Sequence, residues 1–301
     1  MRQGIIEFFI AFALLAGFFR IVERIWPGVP GQKWRRAGLG TDLSYWFFTS
    51  IVTKWMARAA LIVAAVLIFA ALGWSPRNLP RNGFGPIATQ PRWLQAIEII
   101  AIGDLLAYAM HRAFHGRRLW AFHCIHHSAE EVDWLSATRF HPINDVLTRL
   151  VQSLPLFLLG FSPLVLAGYI PLFTFYTIMV HANVSWTFGP FKYVLASPVF
   201  HRWHHTKESE ALDKNFAGLL PIWDIIFGTF YMPIGKLPTD FGTTESVPPG
   251  IGAQLIYPFR AKPAAAMTSD VVSPEAVSPG SIRGLASRPL DCKQLIRSAE
   301  S

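Results

Sequence analysis

The sequence has little charge, since only 15% of its 301 residues are Asp, Glu, Lys or Arg. Soluble domains carry about 25% charged residues. Hydrophobic residues make up 52% of this chain, and its mean hydropathy is +0.33. This balance excludes a disordered chain and argues against an ordinary cytosolic enzyme. The length accommodates one large domain or two smaller ones.

Cysteine is also scarce, with only Cys124 and Cys292 in the chain. Two cysteines exclude both a disulfide framework and a zinc site built from thiolates. The 27 Lys and Arg residues exceed the 19 Asp and Glu residues and give a net charge of +8. In so apolar a chain, this surplus is more typical of loops that orient membrane spans than of nucleic-acid binding. We therefore expect no nucleic-acid partner.

Apolar runs in the first third of the chain predict three membrane crossings. Residues 4–22 are about long enough to cross a bilayer, and a cleaved signal peptide is the alternative. The second crossing lies within 43–73, where we interpret 42–56 as a partly interfacial approach. The third crossing, 93–110, follows a loop rich in Pro and Gly.

A further apolar stretch, residues 150–191, contains no Lys, Arg, Asp or Glu. Its 42 residues would form about 60 Å of helix at 1.5 Å per residue, which allows two crossings. Phe161-Ser162-Pro163 is the expected turn between them. The basic residues that flank the histidines place these histidines on the cytoplasmic side by the positive-inside rule. The predicted fold is all-α, a polytopic membrane helical bundle with a cytoplasmic histidine-rich helical cap.

The ten histidines all lie between His111 and His205, and eight of them form three clusters. The clusters are His111-x₃-His115, His123-x₂-His126-His127 and His201-x₂-His204-His205. Residues three or four apart share a helix face, with Cβ atoms about 5–6 Å apart, so each cluster can grip an ion. Eight converging imidazoles favour two metal ions, and neutral imidazole suits iron as well as zinc, copper and nickel. The spacing does not distinguish two irons from two zincs.

Several other polar residues are candidates for the same site. Asp104 lies seven residues before His111 and so shares its helix face. We expect its carboxylate either to hold a ligand imidazole through the second ring nitrogen or to pack as a polar residue. The full set of candidates around the metals is Asp104, Tyr108, Asn183, Asp213 and Asp224. The isolated His141 and His181 are, by themselves, more typical of hydrogen-bonded core residues.

The histidine motifs and their surroundings resemble the fatty acid hydroxylase/sterol desaturase superfamily, and most closely its bacterial sterol desaturase branch. The resemblance covers about residues 95–232. The matching segments are DLLAYAMHR at 104–112, LWAFHCIHHS at 119–128, TRFHP at 138–142, FHRWHH at 200–205, DKNFAG at 213–218 and WDIIFGTF at 223–230.

This resemblance implies an integral membrane, non-haem di-iron oxidoreductase that uses O₂ to hydroxylate or desaturate a lipid C–H bond. It implies that all eight clustered histidines bind two iron ions, which zinc replaces in some purified forms. His181, in a His-x-Asn setting, resembles a further ligand, and His141, in a His-Pro setting, a less secure one. The expected localisation is the bacterial inner membrane, with the histidine site on the cytoplasmic side.

Electrons must come from a separate donor, since the chain has neither a His-Pro-Gly-Gly haem motif nor a strand-linked GxGxxG motif. We expect a ferredoxin or a cytochrome b5-type protein with its reductase. The predicted domains are a transmembrane region at 1–92, a di-metal catalytic domain at 93–235 and an extension at 236–301, largely disordered after 260. The alternative functions are a membrane haem or electron-transfer protein and a metal transporter with a histidine-rich cytoplasmic site.

Overall fold

The computed structural model describes residues 2–73 and 82–261, without the side chains of residues 2–5. Within these ranges the regular structure is helical and no β-strand forms, which confirms the all-α prediction. The helices are α1 (Arg2–Ile25), α2 (Leu39–Leu72), α3 (Arg92–Phe114), α4 (Trp120–His127), α5 (Pro142–Leu158), α6 (Pro163–His181), α7 (Pro198–His204), α8 (Ile222–Ile226) and α9 (Ile251–Arg260). The predicted disorder begins after residue 260. Residues from 262 onward lie outside the described residues, so this prediction falls on them.

Among the described residues, α2, α3 and α6 are long and apolar enough to cross a membrane. Large apolar side chains on α2 and α6 point outward, as Ile62 (64% exposed) and Leu164 (59% exposed) show. Such exposure suits contact with lipid chains. The crossings predicted within α1 and α5 remain predictions, since α5 has only 17 residues and the first side chains of α1 are not described.

The second apolar run forms one helix of 34 residues, about 50 Å long at 1.5 Å per residue. The approach predicted at 42–56 and the span that follows it are thus parts of one continuous helix, and the interfacial position of 42–56 remains a prediction. No Gly or Pro interrupts positions 41–72, so nothing in the sequence ends the helix there. A π-helical segment at Thr49–Thr53 is the only irregularity within it, and Gly73 ends it in the left-handed conformation.

The apolar stretch 150–191 turns where the sequence predicts. Helix α5 ends at Leu158 and α6 begins at Pro163, and Phe161 is buried within the turn. Gly160 has φ of +95°, and its carbonyl accepts a hydrogen bond from the Phe84 amide at 3.0 Å. A Cβ at this glycine would collide with the Phe84 carbonyl, so the close approach of the two segments requires glycine.

Helix α3 lies at the centre of the bundle and packs against both α5 and α6. Helix α2 packs on the other side of α5, and the short α7 packs against α6. A buried apolar cluster joins α3, α5 and α6. Its members are Ile99, Leu156, Phe161 and Tyr169. This packing brings the carboxyl ends of α3 and α6 to the same end of the bundle as the short helices α4 and α7.

A buried network of charges ties the start of α2 to the loop between α4 and α5. Arg36 binds Asp133 through two hydrogen bonds of 2.7 and 2.8 Å. Asp42, which is fully buried, lies 2.7 Å from Arg36 and 2.6 Å from Arg139. The carboxylates of Asp42 and Asp133 together balance the two buried guanidinium groups, and Asp42 is the one that both arginines share.

We predict that Asp42→Ala lowers the free energy of unfolding by about 3–5 kcal/mol, because it leaves two buried arginines without a shared counter-charge. Thermal melting in neutral detergent measures the loss. The matched control is Asp240→Ala, since Asp240 is exposed and pairs with Lys207 at the surface. This control is expected to cost no more than about 1 kcal/mol. Equal melting curves for the two variants would contradict a structural role for the network.

Candidate metal centre

Nine of the ten histidines meet at one end of the bundle in two groups. Within each group the candidate ligand atoms all lie within 4.8 Å of one another. The five-histidine group consists of His111, His115, His123, His127 and His204. The four-histidine group consists of His126, His181, His201 and His205. The adjacent pairs at 126–127 and 204–205 each divide between the groups, because neighbouring residues on a helix point about 100° apart.

In the five-histidine group, the Nε2 atoms face one another. The Nε2 atoms of His111 and His123 are 3.0 Å apart. The Nε2 atoms of His115, His127 and His204 are buried and have no hydrogen-bond partner among the described residues. Buried nitrogens normally have a partner, since leaving one unpaired costs about 1–3 kcal/mol. Their common direction marks a position where a single ion would satisfy all of them.

The Nδ1 atoms of this group point outward, and four of them have a defined partner. His111 Nδ1 lies 2.8 Å from the Phe216 carbonyl, and His204 Nδ1 lies 2.7 Å from the Lys214 carbonyl. His123 Nδ1 lies 2.9 Å from Asn144 Oδ1, and His115 Nδ1 lies 3.0 Å from Asp213 Oδ1. Such outer contacts fix the ring orientation and leave Nε2 as the basic nitrogen.

Three of these four partners belong to one loop, residues 213–220. Asp213 and Asn215 both have positive φ, which Asp and Asn tolerate better than most residues. Asn215 holds the loop to its surroundings by donating hydrogen bonds to the carbonyls of Phe200 and Tyr231. The loop is thus a rigid frame for His111, His115 and His204.

Two buried carboxylates anchor the same loop from either side. Asp104 accepts hydrogen bonds from the Leu219 and Leu220 amides at 2.9 and 2.8 Å. Asp224 accepts from the amides of residues 216 and 217, both at 2.8 Å, and from the hydroxyl of Thr229. Both acids are fully buried. They satisfy backbone donors that would otherwise be left unpaired beside the histidines.

The four-histidine group is built around His181 at the end of α6. Its Nε2 lies 3.1 Å from the Nε2 atoms of both His126 and His201, and 3.2 Å from that of His205. Its Nδ1 contacts the Thr177 carbonyl at 2.6 Å. The Nδ1 atoms of the other three histidines are buried and have no partner among the described residues. The outer contacts of this group are therefore fewer than those of the five-histidine group.

Burial keeps the histidines of the site uncharged. Desolvation, reinforced by neighbouring imidazoles, holds the pKa well below the ordinary value in every group histidine outside the candidate spans. These are His115, His123, His126, His127, His201, His204 and His205. Neutral imidazole is the form that binds metals.

The donor set fits metal ions. Two nitrogens that bind one ion at 2.0–2.1 Å and are adjacent around it lie about 3 Å apart, and separations of 3.0–3.2 Å occur in both groups. Neither group contains a carboxylate or a thiolate. Imidazole alone suits iron, zinc, copper or nickel. Nine imidazoles in two groups exceed the three or four protein ligands of a single zinc site.

A cavity of about 500 Å³ ends at the histidines. Its walls come from α2, α3, α5 and α6, and five histidines from both groups line its inner end. These are His111, His123, His126, His181 and His201. Ile62 and Ala65 of α2 also line the cavity, and Ile62 is 64% exposed on the outside of the bundle. The histidine groups are thus accessible from an apolar space that opens toward the side of the bundle.

Comparison with known proteins agrees with this geometry. Residues 96–229 match the profile of the fatty acid hydroxylase family. The chain is 35% identical over 222 residues to ornithine lipid hydroxylase OlsE of Rhizobium tropici. The match covers 69% of this chain and 66% of that relative. The chain belongs to the fatty acid hydroxylase superfamily. No solved structure matches it.

Two further relatives match a shorter part of the chain. Human alkylglycerol monooxygenase is 36% identical over 128 residues, which cover 42% of this chain and 28% of that relative. The very-long-chain aldehyde decarbonylase GL1-1 of Oryza sativa subsp. japonica is 33% identical over 142 residues, 43% of this chain and 22% of that relative. The chain therefore spans about two thirds of the bacterial relative and about a quarter of these two.

The two isolated histidines, which the superfamily resemblance added to the site, lie in different places. His181 lies at the centre of the four-histidine group. His141 belongs to neither group. Its Nδ1 accepts a hydrogen bond from the Ile143 amide and caps α5, and its Nε2 lies 3.2 Å from the Leu255 carbonyl. His141 thus has a local structural role at the start of α5.

The polar candidates have different positions from those that the sequence indicates. Of the five, only Asp213 contacts an imidazole. Asp104 and Asp224 bind backbone amides of the 213–220 loop, because their side chains point at the loop and not at a ring. Tyr108 lies 2.9 Å from the Thr229 hydroxyl, and Asn183 binds the Val29 amide and Arg202. The direct contact of Asp104 with a ligand imidazole, one of the two interpretations above, is not formed.

Sequence reasoning missed Asn144 and the backbone carbonyls that orient the rings. Asn144 lies in the first turn of α5, and nothing in its local sequence indicates that it reaches His123. The carbonyls of Thr177, Lys214 and Phe216 have no side-chain signature at all. Cys124, in contrast, is fully buried beside the site, as expected of a small apolar residue.

Proposed function

We propose that the protein is a membrane lipid oxygenase with a non-haem di-iron centre. It uses O₂ and electrons from a separate donor to hydroxylate or desaturate a lipid C–H bond. The observation that carries the proposal is the position of nine histidines, in two groups, five of which line a mainly apolar cavity. The lipid hydroxylases and monooxygenases among the relatives support the reaction class.

The two histidine groups would each hold one iron ion, with zinc as the substitute in a purified form. Bound there, ferrous iron supplies the activation of O₂ and the removal of hydrogen from an unactivated C–H bond. His141 is not part of this ligand set, because it caps α5 instead. The outer contacts to Asn144, Asp213 and the 213–220 loop orient the rings before any metal binds.

The other residues around the cavity exclude water and admit the lipid. Apolar side chains of α2, α5 and α6 keep bulk water from the cavity, which protects a reactive centre from side reactions. An opening near Ile62, a cavity-lining residue that is 64% exposed, would admit a lipid laterally from the bilayer. Since the chain carries no electron-transfer motif, a ferredoxin or a cytochrome b5-type protein with its reductase would deliver electrons. We place the histidine site on the cytoplasmic side of a bacterial inner membrane, where such donors are found.

The haem-protein alternative is disfavoured by the arrangement of the imidazoles. A haem between spans needs two histidines facing each other across a gap wide enough for the macrocycle. Here the neighbouring nitrogens lie 3.0–3.2 Å apart, which leaves no such gap.

Production of the protein in a bacterial host, followed by mass spectrometry of the membrane lipids, tests the proposal. A hydroxylase adds the mass of one oxygen atom to a lipid species, whereas a desaturase removes the mass of two hydrogens. The inactive control is His126→Ala, which removes one imidazole from the four-histidine group. Identical lipid profiles for cells with the wild-type protein, the control and no protein would contradict the proposal.

A further inference from the structure

One wall of the cavity is polar. Six polar residues of α5 line this wall, and their spacing of three or four residues places them on one face of the helix. They are Asn144, Asp145, Thr148, Arg149, Gln152 and Ser153. Three of these are occupied within the protein, since Asn144 contacts His123, Thr148 donates to the Asn144 carbonyl, and Gln152 reaches the Gly103 carbonyl. The charged pair on this face has no comparable structural role.

That pair is Asp145 and Arg149, which lie one helical turn apart. Arg149 Nε donates to both carboxylate oxygens of Asp145 at 3.0 and 3.1 Å. The Arg149 side chain is one-third exposed, and its two Nη atoms make no hydrogen bond among the described residues. The fork of a guanidinium matches the two oxygens of a carboxylate or phosphate. A paired but incompletely bonded arginine in a cavity wall is therefore a recognition group for an anion.

The position of the pair along α5 sets its distance from the metal centre. Asn144, which contacts His123, is the immediate neighbour of Asp145 and lies five residues before Arg149. At 1.5 Å per residue, the centre of the pair lies only about 5 Å further along the helix than the contact with His123. The charged pair thus borders the histidine end of the cavity.

The other end of the cavity is apolar. Leu156 and Phe157 lie 12 and 13 residues after Asn144 on α5, Leu166 and Ile170 lie 15 and 11 residues before His181 on α6, and all four line the cavity. No charged residue occurs between 150 and 191. An amphiphile in this cavity would place its hydrocarbon chain at that end and its head at the histidine end, because each part then meets matching surface.

We propose that the cavity binds a lipid with a zwitterionic head group, whose carboxylate or phosphate meets Arg149 and whose amine meets Asp145. The pair has no net charge, so a head with both signs complements it better than an anion alone. This inference rests on the proposed function and specifies its substrate class. Since the head lies beside the histidines, the oxidised carbon belongs to the head group or to the first carbons of the chain.

Lipid binding to the full-length, metal-loaded protein in neutral detergent tests the inference without any turnover. The probes are N-acyl ornithine, which has a carboxylate and an amine, and an uncharged 1-O-alkylglycerol of the same chain length. We expect N-acyl ornithine to bind at least about tenfold more tightly, and Arg149→Gln to remove this preference by weakening only the charged lipid. The double variant Asp145→Asn/Arg149→Gln removes both charges and so leaves no lone charge in the cavity wall. It is also expected to lose the preference for N-acyl ornithine.

The matched control is Arg117→Gln, since Arg117 is an exposed arginine that does not line the cavity. It is expected to retain the wild-type preference. Equal affinity for the two probes, failure of both to bind, or an equal loss of both in the Arg149 variant would overturn the inference. Because the readout is binding alone, its result is separate from that of the proposed oxidation, which depends on iron, O₂ and electrons.

Discussion

The His204→Ala variant is expected to bind one metal ion fewer per chain than the wild-type protein and to lose lipid oxidation completely. His204 belongs to the five-histidine group and carries a buried Nε2 that has no protein partner. Its Nδ1 is held by the Lys214 carbonyl, so its Nε2 is the nitrogen that faces the group. Elemental analysis of the purified protein gives the metal content, and lipid mass spectrometry gives the activity.

His141→Ala is the matched control, because His141 is a buried histidine next to the site that belongs to neither group. Loss of its cap on α5 costs about 1 kcal/mol, while the metal content stays at two ions per chain. Activity is expected to fall much less than in His204→Ala. Full activity of the His204 variant, or loss of metal from the His141 variant, would refute the assignment of the groups.

Asp104→Ala is expected to release metal from the five-histidine group alone. The substitution leaves the Leu219 and Leu220 amides unpaired and loosens the loop that holds His111, His115 and His204. Loss of such outer support typically weakens metal binding by about 10- to 100-fold. No imidazole of the four-histidine group has a hydrogen bond to this loop, so this group is expected to keep its metal. Titration with a chelator of graded strength resolves the two ions.

Asp42→Ala serves as the control for simple destabilisation. It removes a buried carboxylate of similar burial that contacts Arg36 and Arg139 but not the 213–220 loop. Below its melting temperature, this variant is expected to release both metals at the same chelator strength as the wild-type protein. Equal release of both metals from Asp104→Ala would show that the loop does not support one group selectively.

The sequence predicts the clustering of eight histidines because they lie on helices or at helix ends, where residue spacing defines a face. The HxxHH motif of α4 brings His123 to the five-histidine group and divides His126 and His127 between the two groups, as helical geometry requires. His181 follows only from the resemblance to the superfamily. Its position depends on the return of α6 to the site, which a periodicity argument does not provide.

The contacts around the ligands were less predictable, since they depend on tertiary structure. Asp104 shares a helix face with His111, but the 213–220 loop inserts its amides where the sequence indicated a ring. The carbonyls of Lys214 and Phe216 become partners only because that loop adopts left-handed conformations at residues 213 and 215.

The most direct test of a di-iron oxygenase is to follow the oxygen atom. The purified, iron-loaded protein would be reconstituted in bacterial lipid vesicles with a ferredoxin, its reductase and NADPH, under O₂ labelled with a heavy oxygen isotope. The account predicts a lipid that carries one labelled oxygen or a new double bond, formed only when iron and the electron donor are both present. A lipid product that forms equally without O₂, or with oxygen derived from water, would contradict it.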